Sequence, residues 1–283
     1  MKALACQLPG EVGIPLSRFS REELRRAVIS RGIVAQISGA TIWRWLSEDA
    51  IRPWNRRSWI FPRDPQFREK AGRVLDLYHG IWAGKKLTVD DFVLCADEKT
   101  GLQIRRRIHP SQPPGPGRPL RVEHEYKRLG TCAYQVVWDV RRARLFGHVV
   151  QRSTIETFDA LVAQVMTTEP FHSAQRVFWV VDNGTVHRGQ RSVQRLQGRW
   201  KNLVLVHLPV HASWLNQVEI YLSILARKGL TPDDFASFEA MKQRILGFQD
   251  HYQTVARPFE WKFTRRDLAR LLAKLSTPQR LAA

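Results

Sequence analysis

The sequence predicts an α/β protein, a mixed sheet flanked by helices, with a small all-helical region ahead of it. Two observations carry that expectation. Strand-like runs crowd the stretch from about residue 92 to 151, and helix and strand then alternate to about residue 227, the pattern of a sheet with mixed strand directions covered by helices. Two of the runs, VLCAD and VFWVVD, are short, apolar, rich in β-branched residues and end in an aspartate, as buried strands that deliver a polar group to the sheet edge do.

Residues 1–20 read as loop, with Pro9, Gly10, Gly13 and Pro15. Ser20 followed by Glu23 offers a capping box, and the helix behind it, EELRRAVISRG, stops at Gly32. A second helix starts at Ser38, with Ile42, Trp45 and Leu46 at helical spacing on one side. Helix, short Gly-bearing turn, then helix with Thr41 and Arg44 exposed near its front is the grammar of a DNA-reading helix-turn-helix. An ordinary helical hairpin has the same spacing. Residues 51–66 interleave Arg52, Arg56, Arg57 and Arg63 with Trp54 and Trp59. Such a segment suits a phosphate backbone or a minor groove, and equally a stiff linker whose tryptophans pack on the next domain.

FREKAGRVLDLYHGIWAG reads as a linking helix, which places a linker at 61–90. Strands are expected at Phe92–Ala96 and in LQIRRRI, followed by a loop, HPSQPPGPGRPLR, too rich in Pro and Gly for a regular element. TCAYQVVWDV and ARLFGHVVQ read as a hairpin turning near Arg141–Ala143. Then come a helix over Thr154–Met166, the strand VFWVVD, a helix in HRGQRSVQRLQ, the strand LVLVHLP and a helix over Asn216–Arg227. Residues 231–283 read as a separate, polar-faced helical segment that includes FEWKFTRRDLARLLAKL.

Composition narrows the partners. Lys plus Arg is 45 against 26 for Asp plus Glu, a formal charge of +19 in 283 residues. That excess favours polyanions through counterion release, and Arg dominates it, as suits bidentate phosphate contacts. The chain is not of disordered composition, because ten Trp and thirteen Phe demand packing partners. Cys6, Cys95 and Cys132 lie far apart with no C-x-x-C pair. That argues against a zinc site or a disulfide framework and fits a reducing cytosol. No apolar run approaches a membrane span, and the start has no signal-peptide core, so a cytoplasmic protein is expected.

Three acids stand out: Asp97, Asp182 and Glu219. Two are expected at strand ends and one on a helix packed across that edge, which is the delivery two divalent metals need for phosphoryl transfer. Adjacent strands lie about 4.8 Å apart, so the two aspartates can share an ion. Glu98 is set aside because strand alternation turns it to the opposite face. Asn183, next to Asp182, is expected to orient the loop or a metal-bound water, and His187 to reach substrate or leaving group. His207 and His211 flank Pro209, which breaks the helix a two-histidine zinc motif needs.

ADEKT, VVDNGTVHRG and LPVHASWLNQVEIYLSILARK together resemble the DDE transposases of bacterial insertion sequences, in the insertion-sequence-630 branch related to mariner. The likeness runs from about Ser20 to the C-terminus. Thirty-six residues lie between Asp182 and Glu219, slightly wide for that family, and Gln217 stands where many relatives carry proline. The resemblance implies a ribonuclease-H-like catalytic domain over 91–230 with Asp97, Asp182 and Glu219 as its metal-binding catalytic triad, supported by Asn183, His187 and Asn216. It implies two Mg²⁺ ions, with Mn²⁺ able to substitute, and cutting at terminal inverted repeats followed by joining to target DNA at TA. Double-stranded DNA is the expected partner, in a homodimer. Residues 1–60 fit one helix-turn-helix where the family carries two, so the chain is expected to lack the first. Arg105, Arg106, Arg107 and Arg118, with the loop between them, are expected to clamp DNA or a partner subunit. A nuclease that cuts without joining, and a non-catalytic, repressor-like remnant, are the alternatives.

Overall fold

Ser20 and Glu23 close the capping box that the sequence offers. The Glu23 amide donates to Ser20 Oγ at 3.2 Å, and the Ser20 amide donates to the Glu23 carboxylate at 2.7 Å. The helix they start, α2 (Arg21–Ser30), lies in the first of two compact units, Met1–Phe61 and Pro62–Ala283. The computed structural model describes residues 1–56 and 62–276, so Arg57 and Trp59 lie outside the described residues.

In the first unit, α1 (Lys2–Ala5) and a 3-10 turn (Pro9–Val12) precede α2, and α3 (Gly39–Glu48) follows it. Residues 1–20 are thus more than loop. Leu4, Ala5 and Phe19 are buried with Leu24 and Val28 of α2 and with Ile42 and Leu46 of α3. A two-helix hairpin has too little apolar area to close a core, and the short leading helix supplies the missing cover. Trp45 departs from expectation. It is 37% exposed, because the seam of α3 is the Ile42–Leu46 pair one turn apart, and Trp45 falls beside it.

The second unit opens with α4 (Phe67–Tyr78), which ends six residues before the expected helix does. Gly80 takes φ +75° and Gly84 +77°, turning the chain into a small hairpin of β1 (Ile81–Trp82) and β2 (Lys85–Lys86). Residues 61–90 are therefore no simple linker, because Phe67, Ala71, Val74 and Leu75 of α4 belong to the main core.

The main sheet has five strands in the order β5 (Leu145–Val150), β4 (Lys127–Asp139), β3 (Asp91–Arg106), β6 (Arg176–Val181), β7 (Leu203–His207). β3, β4 and β5 run antiparallel, while β3, β6 and β7 run parallel. This is the expected mixed sheet flanked by helices. The two strands expected at 92–96 and 102–108 are one strand. A register shift between Lys99 and Leu102, with Gly101 at φ +66°, absorbs the irregularity and keeps the strand paired with β4.

Each sheet face has its own core. Val93 and Cys95 of β3 and Phe178 and Val180 of β6 face α4, α7 (Val218–Lys228) and α8 (Phe238–Val255). Phe92, Leu94 and Ala96, with Val177, Trp179 and Val181, face α5 (Ile155–Met166) and α6 (Gly189–Arg199). The two-residue alternation of the strands makes both sets, which is why the runs look apolar throughout. At the start of the parallel pair, Asp91 receives two bonds from Arg176, at 2.7 and 2.8 Å. That guanidinium beside it, backed by Thr88, holds the Asp91 carboxyl at about 2.

The C-terminal region is not continuous helix. Between α8 and α9 (Arg265–Ser276) an extended strap places alternate aromatics inward. Phe259 stacks on Trp138, Trp261 meets Tyr78 edge-on, and Phe263 meets Trp214 edge-on. FEWKF has the alternation of a strand rather than a helix. No helix of the described residues is long and apolar enough to cross a membrane.

Leu225, fully buried where α7 meets the core, tests that packing. Leu225→Ala is expected to lower the unfolding free energy by about 2–5 kcal/mol, read from urea denaturation followed by tryptophan fluorescence.

Candidate active site

The parallel register of β3 and β6 fixes where two of the three acids fall. The last paired residues are Cys95 and Val180. Two residues further along each chain bring Asp97 level with Asp182. Asp97 shares the strand parity of Val93 and Cys95, and Asp182 that of Phe178 and Val180, so both follow the face that carries α7. Asp182 comes one residue after β6 ends, as expected, whereas Asp97 lies inside β3, still paired with Val136 of β4. β3 continues alongside β4 after β6 has stopped, so the crevice opens at the end of β6 alone. Glu98 lies on the other face, where its carboxylate accepts from Ser153 Oγ at 3.1 Å.

Glu219 falls in the first turn of α7. The helix starts later than expected. Ser213–Leu215 form a 3-10 turn, Asn216 is extended at ψ 113°, and Gln217 is the N-cap residue with φ −61° and ψ −28°. That φ is one proline adopts, so Gln217 stands in a proline-compatible position. Leu215 and Leu222 are buried on either side of Glu219, which is itself half-buried. The approach to this turn is pinned by Asp64, whose buried carboxylate accepts from the Val210 amide at 3.1 Å and from Lys70 at 2.9 Å.

Each acid is held by neighbours. Asp97 Oδ1 accepts from the Glu98 amide at 2.8 Å, and Oδ2 from Asn216 Nδ2 at 3.2 Å. The same Asn216 nitrogen donates to the Ala96 carbonyl at 2.8 Å. Asp182 Oδ1 accepts from the Gly184 amide at 2.7 Å and lies 2.5 Å from His187 Nε2. A Cβ at Gly184 would stand 2.9 Å from that oxygen and 3.1 Å from the His187 ring, so only glycine fits there without displacing them.

His187 is 1% exposed and lies against Phe158 with the rings tilted, so it meets Asp182 rather than solvent. That corrects its expected place against a substrate. His207 Nε2 lies 2.8 Å from the His187 carbonyl, so it carries the proton and donates. Burial pushes the His207 imidazole below its ordinary value. Asn183 donates to the Leu208 carbonyl at 2.8 Å, between the ends of β6 and β7.

The electrostatics set the aspartates apart. Burial pushes the Asp97 carboxyl up; the Glu98 amide opposes this, but the charges of Asp182, Glu219 and Glu98 add to it, and the group reaches about 7. Burial also pushes Asp182 up, but the His187 hydrogen bond and the Gly184 amide outweigh it and hold the group below the usual carboxylate range. Environments that drive two neighbouring carboxyls in opposite directions mark a site built for charge.

The donor set can be tested against a divalent cation. Two more buried acceptors, Asn216 Oδ1 and Gln217 Oε1, have no hydrogen-bond partner. Three carboxylates, with the Asn216 amide against Asp97, are an excess of hard oxygen, the ligand chemistry of Mg²⁺ or Mn²⁺. Among the described residues no three His, Cys, Asp or Glu side chains converge closely enough to enclose one ion. The chemistry fits such an ion, and the carboxylates must draw together to hold it.

The arginines expected to clamp DNA separate into two groups. Arg105 donates to Asp233 at 2.7 Å and lies over the Tyr126 ring. Arg107, its side chain 9% exposed, bonds Asp233 at 2.9 Å and the Glu123 carbonyl. Both are staples between the β3–β4 ribbon and the turn before α8. Arg106, one residue away on the opposite strand face, is exposed. Arg118 closes a tight turn with Gly115 through its backbone and leaves its side chain exposed. In the first unit Arg44, Arg52 and Arg56 are exposed, while Thr41 is half-buried with its hydroxyl 2.9 Å from Ser38 Oγ.

A mixed five-stranded sheet whose acids gather where a parallel pair ends defines a nuclease-type α/β domain. The chain belongs to the DDE superfamily endonuclease family, whose model matches residues 92–242, more than half of the sequence. No curated protein matches the sequence. Among solved structures it is similar to the Mos1 mariner paired end complex with Mn, at 16% identity and TM-score 0.51 over 92% of this chain and 78% of that one. A pre-cleavage Mos1 transpososome matches at 15% identity and TM-score 0.51, covering 92% and 77%. The Mos1 strand transfer complex matches at 14% identity and TM-score 0.50, covering 92% and 77%. At such identities the likeness is one of fold alone.

Two outcomes follow from this geometry. Arg107→Ala is expected to lower the urea midpoint by about 2 kcal/mol of stability, because it leaves Asp233 short of a partner. Arg106→Ala is expected to stay within about 0.5 kcal/mol. A common loss in both would show that Arg107 is no staple.

The second outcome concerns pH. The Asp97 carboxyl is raised in the folded state, so the folded protein holds a proton that the unfolded chain releases. Its favourable contribution is therefore full below about pH 4 and is lost as pH rises through about 7. In EDTA, Asp97→Asn is expected to be more stable than the native chain at pH 8 and to lose that advantage at pH 4. Equal stability at pH 8 would mean that Asp97 carries no strained charge.

Proposed function

We propose that this chain is a transposase that cuts DNA at the ends of a bacterial insertion sequence and joins them to target DNA, with Asp97, Asp182 and Glu219 as the catalytic, metal-binding acids. The observation that carries the reading is the concentration of uncompensated acceptors at one sheet edge. Asp97 is driven to about 7 by burial and neighbouring carboxylates, and Asn216 Oδ1 and Gln217 Oε1 lack partners. Such an arrangement is costly unless a cation completes it. Membership of a DDE endonuclease family and the mariner-like fold support the same reading.

Within it the residues divide the work. Asp97, Asp182 and Glu219 hold two divalent cations. Bound there, Mg²⁺ or Mn²⁺ lowers the pKa of the attacking water or 3′-hydroxyl and stabilises the departing 3′ oxygen. Asn216 keeps Asp97 Oδ2 turned toward α7, and His187 with the Gly184 amide fixes Asp182 through Oδ1, so these neighbours would orient the two carboxylates that hold the cations. Asn183 keeps the loop that carries His187 against the end of β7. The freed 3′-hydroxyl then attacks a phosphodiester of the target, so cutting and joining use one set of carboxylates.

The first unit supplies DNA contacts. α2 and α3 act as a helix-turn-helix in which Arg44 reads the groove, and Arg52 and Arg56 follow the phosphates. Arg106 and Arg118 are the candidates for backbone contacts in the second unit, since Arg105 and Arg107 are spent on Asp233. Cutting two ends together calls for two copies of the chain on terminal inverted repeats, in the cytoplasm of a bacterium.

The test is a labelled fragment carrying the flanking ends of the gene, incubated with the protein and Mg²⁺ beside an Asp182→Ala control. Nicks at the ends and joined products, both absent in the control, are the expected result. Nicks without joining would reduce the function to a nuclease. Binding without cutting in either lane would make the chain a DNA-binding remnant.

A further inference from the structure

The candidate site has a support on the inner side of the sheet edge that none of the assignments above includes. The first amides of a helix need partners from outside it. In α7 the Glu219 amide bonds the Asn216 carbonyl at 3.1 Å, and the Ile220 amide bonds the Gln217 carbonyl at 3.1 Å. That leaves the amides of Gln217 and Val218, and no side chain caps this helix from its own N-cap position. Beside this turn lies Cys95, a fully buried residue of β3 two positions before Asp97.

Cys95 is in turn linked to the phenol of Tyr78 in α4. Tyr78 Oη donates to the Leu215 carbonyl at 2.8 Å, immediately before Asn216. The same oxygen lies 3.2 Å from Cys95 Sγ. A phenol has one proton and it is committed to Leu215, so the thiol proton of Cys95 must bond the phenol oxygen. The direction of the chain is therefore fixed: Cys95 S–H to Tyr78 Oη, and Tyr78 O–H to Leu215 C=O. The Tyr78 ring is held in turn by Trp261 of the strap, edge-on at 5.2 Å between centroids.

We propose that Cys95 and Tyr78 are positioning residues that set the separation of Asp97 and Glu219. One end of the linkage lies two residues from Asp97 and the other closes the turn whose next element carries Glu219. A thiol and a phenol suit the place because together they satisfy the Leu215 carbonyl and each other, yet neither adds an ionised group behind the carboxylates. This inference rests on the three acids being the cation-binding set. It adds that their spacing is held by a linkage that touches neither cation nor DNA.

The test uses the full-length chain with Tyr78→Phe, Cys95→Ala, Cys95→Ser and the Tyr78→Phe/Cys95→Ala double variant. Mn²⁺ affinity is measured by electron paramagnetic resonance, and amide hydrogen exchange over 213–222 is followed by mass spectrometry without metal. DNA nicking is measured against Mn²⁺ concentration. Tyr78→Phe and Cys95→Ala are each expected to weaken Mn²⁺ binding by about tenfold, in the range for supports of metal ligands. Exchange over 213–222 should quicken, while DNA affinity is unchanged and nicking recovers at saturating Mn²⁺. The double variant should be no worse than the poorer single, because the two form one linkage, and Cys95→Ser should retain most of the native affinity. A general packing role would lower thermal stability without making nicking depend on metal concentration.

Native Mn²⁺ affinity and exchange in Tyr78→Phe and Cys95→Ala would overturn the proposal, as would losses that simply add in the double variant. Absence of Mn²⁺ binding in the native chain would overturn the underlying reading of the acids instead, so the two failures are distinguishable.

Discussion

The parallel pairing of β3 with β6 is the constraint on which the rest of the site depends. Asp91 and Arg176 lock the start of the pair with two hydrogen bonds, and the register runs unbroken to Cys95 and Val180. A slip of one residue would turn every side chain of one strand to the other face. Phe92, Leu94 and Ala96 would then meet α7, and Asp97 would point toward α5 with Glu98 in its place. Each face has a complete apolar layer, so such a slip would bury the wrong residues on both sides. Two aspartates far apart in sequence are level because two hydrophobic layers permit only one register.

The acids are then treated unequally by their surroundings. Asp182 follows the end of a strand, where free amides and a buried histidine are at hand, and stays an anion. Asp97 is inside a strand that stays paired with β4, and the Glu98 amide and Asn216 are its hydrogen-bond partners. A continuing strand on one side and an ending strand on the other thus produce one stabilised carboxylate and one whose charge is resisted.

Much of this was legible in the sequence. Aspartates ending apolar β-branched runs mark a sheet edge whatever the tertiary context, and the Leu-Asn-x-x-Glu spacing sets Asn216 one turn from Glu219, while its bond to Asp97 depends on the fold. What was not legible depends on distant partners. Arg105, Arg106 and Arg107 form one basic run, and only Asp233, more than a hundred residues on, makes two of them internal. Tyr78 looked like another residue of an amphipathic helix, since nothing local marks a tyrosine whose partner is the carbonyl of Leu215. The residues between Ala96 and Leu102 read as a gap between two strands, but pairing with the long β4 carried one strand through it. FEWKF was absorbed into a helix although its aromatics alternate, because the neighbouring helical sequence outweighed a five-residue pattern.

The aromatic strap has a consequence for the order in which the molecule is made. Phe259, Trp261 and Phe263 seat against Trp138, Tyr78 and Trp214, residues synthesised long before them. A chain emerging from the ribosome can pair β3, β4 and β5 early, since their contacts are close in sequence. The ring that steadies Tyr78 and the ring that steadies the turn before Glu219 arrive only with the last stretch of the chain. Completion of the carboxylate edge is therefore a late event of biosynthesis, and a nascent chain has its sheet before the edge takes its final form.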